Sequence, residues 1–312
     1  MLATVLSALA QEKPPRPLTP GDLFKLEELG QVALSPDGQW LAYVIKRQKA
    51  RAKIHSRPFL EGNDRGDVWL VSASGGRPQN LTNGLTDDSG WWSPVWSPAS
   101  QRIALLSTRG GNVRLWLWEK ATDQLKQLTE RGVDILPVQQ APIAWLNDRQ
   151  LVCAVLPEGQ KPNPMTVEMR AAEIAMREWP KAWRGKETTA SVLESGVALP
   201  PHRRPQGQLL LINLLKGSRQ LTAGFSFREL RLSPDQQHIA VLKQTDVVRP
   251  DPNKLLTHGR PQVIYQAAVF SRDGRQVLFD IARVREAQPG SLRWSPDGKS
   301  LALVGHTSSA GP

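Results

Sequence analysis

Leu34-Ser35-Pro36-Asp37-Gly38-Gln39-Trp40-Leu41-Ala42-Tyr43-Val44 places apolar runs on both sides of a short polar turn. Pro36 presets the backbone for the second position of a type I turn. Asp37 hydrogen-bonds its own backbone, and Gly38 accepts the left-handed conformation that follows. The stretch predicts a β-hairpin. It returns as Trp96-Ser97-Pro98-Ala99-Ser100, Leu232-Ser233-Pro234-Asp235-Gln236, Phe270-Ser271-Arg272-Asp273-Gly274 and Trp294-Ser295-Pro296-Asp297-Gly298, each followed by a second apolar run. Ala144-Trp145-Leu146-Asn147-Asp148 is a degenerate sixth copy.

A second pair of strands follows several of these hairpins. Asp67–Val71 leads through Ser74-Gly75-Gly76 to Asn80-Leu81-Thr82. Val113–Trp118 leads to Gln127-Leu128-Thr129, and Gln208–Asn213 to Gln220-Leu221-Thr222. Each unit therefore holds four strands. A small sheet cannot cover its own apolar faces, so units of this length stack around an axis, which is the signature of an all-β fold, a β-propeller. The reading is a propeller over residues 31–304 with about six to seven blades, the last one incomplete.

The spacing of the turns locates the insertions. From Ser35 to Ser97 is 62 residues, which exceeds a blade by about the length of the basic run Lys46–Lys53. The 87 residues between Leu146 and Ser233 hold either two blades or one blade with a long insertion, and the insertion is preferred because about 157–206 shows no strand alternation. Inside it Met165, Met169, Ala172, Met176 and Trp179 fall on one helical face, with Pro180 expected to end the helix. That face is expected to pack on the propeller, or else on another domain or subunit. Only 24 residues separate Ser271 from Ser295, too few for four strands, so one of the last two hairpins belongs to an irregular blade.

The ends read differently. Residues 1–10 are apolar and finish in the small-x-small pattern of a signal-peptidase site, the back half of a secretory signal, which implies a periplasmic or secreted protein. Residues 11–30 read as a Pro-rich linker and a lead-in helix, with Thr19 or Asp22 as cap and Gly30 as stop. Residues 305–312 read as a polar tail. No run is long and apolar enough to predict a membrane span.

Forty Lys and Arg against 29 Asp and Glu give a net charge of +11, which raises nucleic-acid binding as a function class. The densest basic run lies in one loop without interleaved aromatic residues for stacking bases, so a solvated loop is the better reading and no nucleic-acid partner is expected. Cys153 sits within an apolar run as a core residue. His55, His202, His238, His258 and His306 lack metal-ligand spacing, and no cofactor or metal is expected. Gly224-Phe225-Ser226-Phe227-Arg228 lacks the second glycine of a nucleophile elbow and reads as the opening of a strand. Gly75-Gly76 and Gly110-Gly111 are hairpin turns, not phosphate loops. Asp87-Asp88 and Glu27-Glu28 are neighbours in sequence without evidence of convergence. No catalytic, cofactor-binding or metal residue is assigned.

The Ser-Pro-Asp-Gly hairpins closed by Leu-Thr resemble the propeller repeats of the prolyl oligopeptidase family of serine peptidases, especially its dipeptidyl-peptidase-like and acylaminoacyl-peptidase-like members, and those of TolB-like periplasmic propellers. The opening Leu18-Thr19-Pro20-Gly21-Asp22-Leu23 and the insertion with Trp183-Arg184-Gly185-Lys186-Glu187 look more like the peptidases. The resemblance covers roughly Leu18 to Val304. It implies a propeller that caps a C-terminal α/β-hydrolase domain and filters peptide substrates on their way to a Ser-His-Asp triad. No part of this chain matches that hydrolase domain, so no catalytic residue is carried over, nor is a Glu pair for binding a peptide amine. The alternative implied is a stand-alone TolB-like scaffold for protein partners.

Overall fold

A computed structural model describes residues 16–49, 59–135, 142–165, 169–186, 206–222, 224–248, 262–277, 283–288 and 290–307. The expected signal segment 1–10 lies outside the described residues, as do Lys53 and His55 of the first insertion. Antiparallel sheets in chain order carry the fold. The first blade is β1 (Glu28–Leu34), β2 (Trp40–Lys46), β3 (Gly66–Ser72) and β4 (Gln79–Asn80). The second is β5 (Trp91–Trp96), β6 (Arg102–Ser107), β7 (Arg114–Glu119) and β8 (Gln124–Gln127). The third is β9 (Ile143–Asn147), β10 (Gln150–Val155), β11 (Gln208–Asn213) and β12 (Gly217–Gln220), with helix α2 (Met169–Trp183) between β10 and β11. The fourth is β13 (Phe227–Leu232), β14 (His238–Val248), β15 (Gln262–Ser271) and β16 (Gln276–Val277), widened by β17 (Val284–Arg285) and β20 (His306–Thr307). A hairpin of β18 (Arg293–Trp294) and β19 (Leu301–Ala302) starts a fifth.

The first strands of successive blades lie side by side, β1 against β5, β5 against β9, β9 against β13 and β13 against β18, so they line the axis of a propeller. Alternation sends one face of each blade to its predecessor and the other to its successor. Thus Ala42, Val44, Val68 and Leu70 share one core with Ile103, Ala104, Leu105 and Leu115 of the second blade. A second core joins the third and fourth blades and a third lies under the β18–β19 hairpin. Burial of such branched side chains is worth about 1.5–3 kcal/mol each.

A polar staple repeats at these seams. The Trp that precedes the turn donates its indole N–H to a carbonyl in the first strand of the preceding blade. Trp96 reaches Ala33 at 3.0 Å, Trp145 reaches Val95 at 3.0 Å and Trp294 reaches Arg231 at 3.3 Å. Each acceptor sits two residues before the turn serine of its own blade. The seam between the third and fourth blades has Leu232 where the Trp would stand, and its contact is apolar, with Phe225 stacked on Phe270 in the same core.

Several expectations are revised. The described residues hold four blades and a fifth begun, fewer than about six to seven, because the insertions and the widened fourth blade consume the length that the count assigned to blades. Ser271-Arg272-Asp273-Gly274 joins β15 to β16 and so does not open a blade of its own, while the irregularity expected from the short gap to Ser295 is present in the widened fourth blade and the two-stranded hairpin that follows it. The α1 helix covers only Pro20–Leu23, held by the Asp22 carboxylate accepting Thr19 N–H at 2.9 Å; Gly30 is not its stop but lies at an irregularity within β1. His306 and Thr307, read as tail, pair with β17. Pro180 does not end α2, which continues to Trp183.

The helix face is covered unevenly. Met165 packs against the first core. Met176 and Trp179 are exposed, and Trp183, outside the stripe, is 93% exposed.

Candidate functional site

The turns that define the repeats bring Ser, Asp and once His together, so they are the first place to look for a nucleophile. Ser233 is buried; its hydroxyl donates to the Asp235 carboxylate and accepts the His238 backbone N–H at 2.9 Å. His238 Nδ1 lies 3.8 Å from Asp235. The same lock closes the first turn, where Ser35 donates to Asp37 at 2.5 Å and accepts Trp40 N–H at 2.9 Å. It closes the last one too, with Ser295 donating to Asp297 at 2.5 Å and accepting Ser300 N–H at 2.9 Å. These hydroxyls are spent on their own turns, so no base is placed to activate them. The serine hydrogen bond is the main reason that Asp37, Asp235, Asp273 and Asp297 are held below the usual carboxylate range.

Neighbouring turns also bond to one another along this rim. Asp37 N–H donates to Ser100 Oγ at 3.1 Å, and Ala99 N–H to Asp148 at 2.6 Å. The repeated motif therefore has a structural use at every one of these positions.

The opposite rim, between the first two blades, gathers charge. Arg47 follows β2 and pairs with Asp67 at 3.0 Å while donating to the Ser89 carbonyl at 2.9 Å. Asp67 also accepts Gly84 N–H at 2.6 Å and the Thr82 hydroxyl at 3.2 Å. Arg65 donates to the Arg47 carbonyl. Arg109 pairs with Asp87 at 2.5 Å and spreads its guanidinium over Trp91 and Trp116, 4.7 Å and 5.5 Å from the ring centroids. Gly66 and Gly90 permit the close approach of the two loops; a Cβ at Gly90 would stand 2.3 Å from the Asn63 carbonyl oxygen.

Asp64 sits inside this cluster with Oδ1 buried and unpartnered. Burial pushes its carboxyl up to about 6, against the pull of Arg65 and Arg47. Sequence reasoning missed it: Asn63-Asp64 follows Gly62 in a short 3-10 helix, Phe59–Arg65, and only folding brings it to Gly90. Arg47, read as part of a solvated basic loop, is nearly buried in the network. Asp87 and Glu28, noted only as members of acidic doublets, are each paired with cations, Asp87 with Arg109 and Glu28 with Lys46 and Arg65, both at 3.9 Å. Among the described residues no group of His, Cys, Asp and Glu is arranged to hold a metal ion. Of the histidines, His238 lies in β14 and His306 in β20; His202 and His258 fall outside the described residues. Cys153 is fully buried, and burial raises its thiol far above the ordinary range. The arrangement can bind blades together and offers two carboxyls of altered acidity, Asp64 raised and Asp87 lowered; it does not align a nucleophile with a base.

The chain is a β-propeller of four-stranded antiparallel blades. No protein-family model matches the sequence. It is 24% identical over 278 residues to the lasso peptide isopeptidase AtxE2 of Asticcacaulis excentricus, a match that covers 81% of this chain and 37% of the isopeptidase. Among solved structures it is similar to the acylaminoacyl peptidase of Pyrococcus horikoshii, with 14% identity, a TM-score of 0.45 and coverage of 92% of this chain and 37% of that one. It is also similar to a TolB protein of Agrobacterium tumefaciens, with 14% identity, a TM-score of 0.42 and coverage of 87% and 73%. The chain thus spans well under half the length of the curated relative it matches. No described helix is long and apolar enough to cross a membrane.

Proposed function

We propose that this chain is the non-catalytic propeller portion of a periplasmic or secreted serine peptidase of the prolyl oligopeptidase type. In that role it caps an α/β-hydrolase domain and filters the peptides that reach it. The observation that carries the reading is the sequence match to the isopeptidase across four fifths of this chain. The turn chemistry supports the division of labour: the serines and aspartates of the repeats hold blades, so the nucleophile, base and orienting carboxylate belong to the hydrolase domain.

The test is to sequence the source DNA around this reading frame and to assay the purified chain. A hydrolase reading frame with Gly-x-Ser-x-Gly followed by Asp and His, continuous with or beside this one, is the expected result. An isolated frame with no hydrolase nearby points instead to a stand-alone scaffold of the TolB kind. Turnover of an aminoacyl-p-nitroanilide by the 312 residues alone would overturn the non-catalytic assignment.

A further inference from the structure

Ala33, Val95, Ala144, Arg231 and Arg293 each stand two residues before the hairpin turn of their own repeat. They lie on β1, β5, β9, β13 and β18, the strands that line the axis. Ala33, Val95, Ala144 and Arg231 each have a following blade or hairpin beside them and are still only half-buried, so the seam does not close over this position at its axial edge. In the first three blades the position holds a small or aliphatic side chain that packs on the seam. In the fourth blade and the hairpin after it the same position holds arginine.

The two guanidiniums meet at one oxygen. Arg231 Nε donates to the Leu292 carbonyl at 3.3 Å, and Arg293 Nη1 donates to the same carbonyl at 2.9 Å. Arg231 Nη1 also donates to the Leu230 carbonyl at 3.5 Å. The one carboxylate beside them is engaged elsewhere: Glu229 stands 4.0 Å from Arg231 Nη2 and accepts the N–H groups of Gly290 and Leu292. Arg293 is exposed and, among the described residues, forms no salt bridge. Burial, and after it the charge of Arg293, works against the charged form of Arg231, with Glu229 acting in its favour. Two cations thus share one counter-ion, and a guanidinium carries more donors than these bonds use.

We infer that Arg231 and Arg293 form a binding site at the axis for a peptide carboxylate, either a free C-terminus or an acidic side chain. The inference rests on reading the chain as the propeller of a peptidase, and it names the peptides that such a propeller favours. Guanidinium forks match carboxylate geometry and bond it with charge assistance. Ala33, Val95 and Ala144 put no charge at the equivalent places, so the site suits a single carboxylate on an otherwise neutral chain. A nucleic-acid strand, with a phosphate at every step, calls for cations repeated from blade to blade.

The test is calorimetric binding of short peptides to the 312-residue chain: acetyl-Ala-Ala-Ala with a free C-terminus, the same peptide as its amide, and acetyl-Ala-Glu-Ala-amide. At least one of the two carboxylate peptides should bind about tenfold more tightly than the neutral amide. Preference for the free acid places a C-terminus in the site, and preference confined to the Glu peptide places a side chain there. Arg293→Gln, at an exposed position, should abolish the difference with the far-ultraviolet circular dichroism unchanged. Arg231→Lys, which keeps the charge but loses the planar fork, should narrow it. Lys126→Gln, exposed on the outer strand β8, should leave it intact. Equal affinity for all three peptides, or no binding of any, would overturn the inference. So would a loss with Lys126→Gln as large as that with Arg293→Gln, or displacement of the peptides by oligothymidylate at lower concentration. These readouts need no hydrolase domain: equal binding leaves the peptidase reading standing, and the absence of a hydrolase frame leaves the carboxylate site standing.

Discussion

Asp64 and the turn aspartates show how one side-chain type acquires opposite pH dependence from its surroundings. At Asp37, Asp235, Asp273 and Asp297 the serine hydroxyls favour the charged form. Their contribution is therefore present above the ordinary carboxylate range and is lost as pH falls through their depressed values. At Asp64 burial pushes the carboxyl from the ordinary carboxylate range up to about 6, so the folded protein holds the proton longer. The native state then binds more protons than the unfolded chain across that window, so stability falls as pH rises through it. Above it the loss is roughly 3 kcal/mol. Asp64→Asn is therefore expected to raise the thermal midpoint at pH 8 and to leave it nearly unchanged at pH 3.5, read by circular dichroism melts. A lower midpoint at pH 8 would mean that Arg65 and Arg47 compensate the buried charge. Nothing in the local sequence announces this residue, because its burial is made by Gly90, which lies in the loop before the next blade.

At the scale of the element, the hairpin grammar was legible from Pro, Asp and Gly alone, since turn conformation is set by a few adjacent residues. Its place within a blade was not. The turn at Ser271 has the same chemistry as those at Ser35 and Ser233, yet it joins third and fourth strands instead of first and second. Pro180 was read as a stop by the general rule, whereas α2 carries on through it for three more residues. The Trp staples were visible as a repeated residue but not as a bond, because donor and acceptor are 50 or more residues apart. Their role predicts that Trp145→Phe, which keeps an aromatic ring but removes the bond to the Val95 carbonyl, lowers stability by about 1 kcal/mol. Leu232→Phe at the unstapled seam removes no hydrogen bond. A urea midpoint for Trp145→Phe equal to that of the parent protein would show that the bond is redundant with ring packing.

For the molecule as a whole, a row of blades in which each touches its neighbours has a stability that is built up seam by seam, as in other repeat architectures. The seams differ. The first core runs continuously through three blades and includes Trp91, Leu105, Leu115 and Leu151, whereas the last seam sets a two-stranded hairpin, with Leu292, Trp294 and Leu301, on the fourth blade. A lone hairpin is marginal in water, and among the described residues no third strand joins β18 and β19. The buried carboxylate of Glu229 partly offsets this by accepting Gly290 N–H at 2.6 Å and Leu292 N–H at 3.2 Å. Native-state hydrogen exchange should therefore release the amides of 293–302 first, at the lowest opening free energy. Those of β14 and β15 should follow, and 103–106 and 151–155 should open last. Glu229→Gln should move the hairpin still earlier while leaving the first three blades unaffected, because it weakens only the last seam. If every blade instead exchanged with a single free energy, the row would be one cooperative unit, and the weakness of the last seam would have to be made good by the breadth of β14, β15 and β17 behind it.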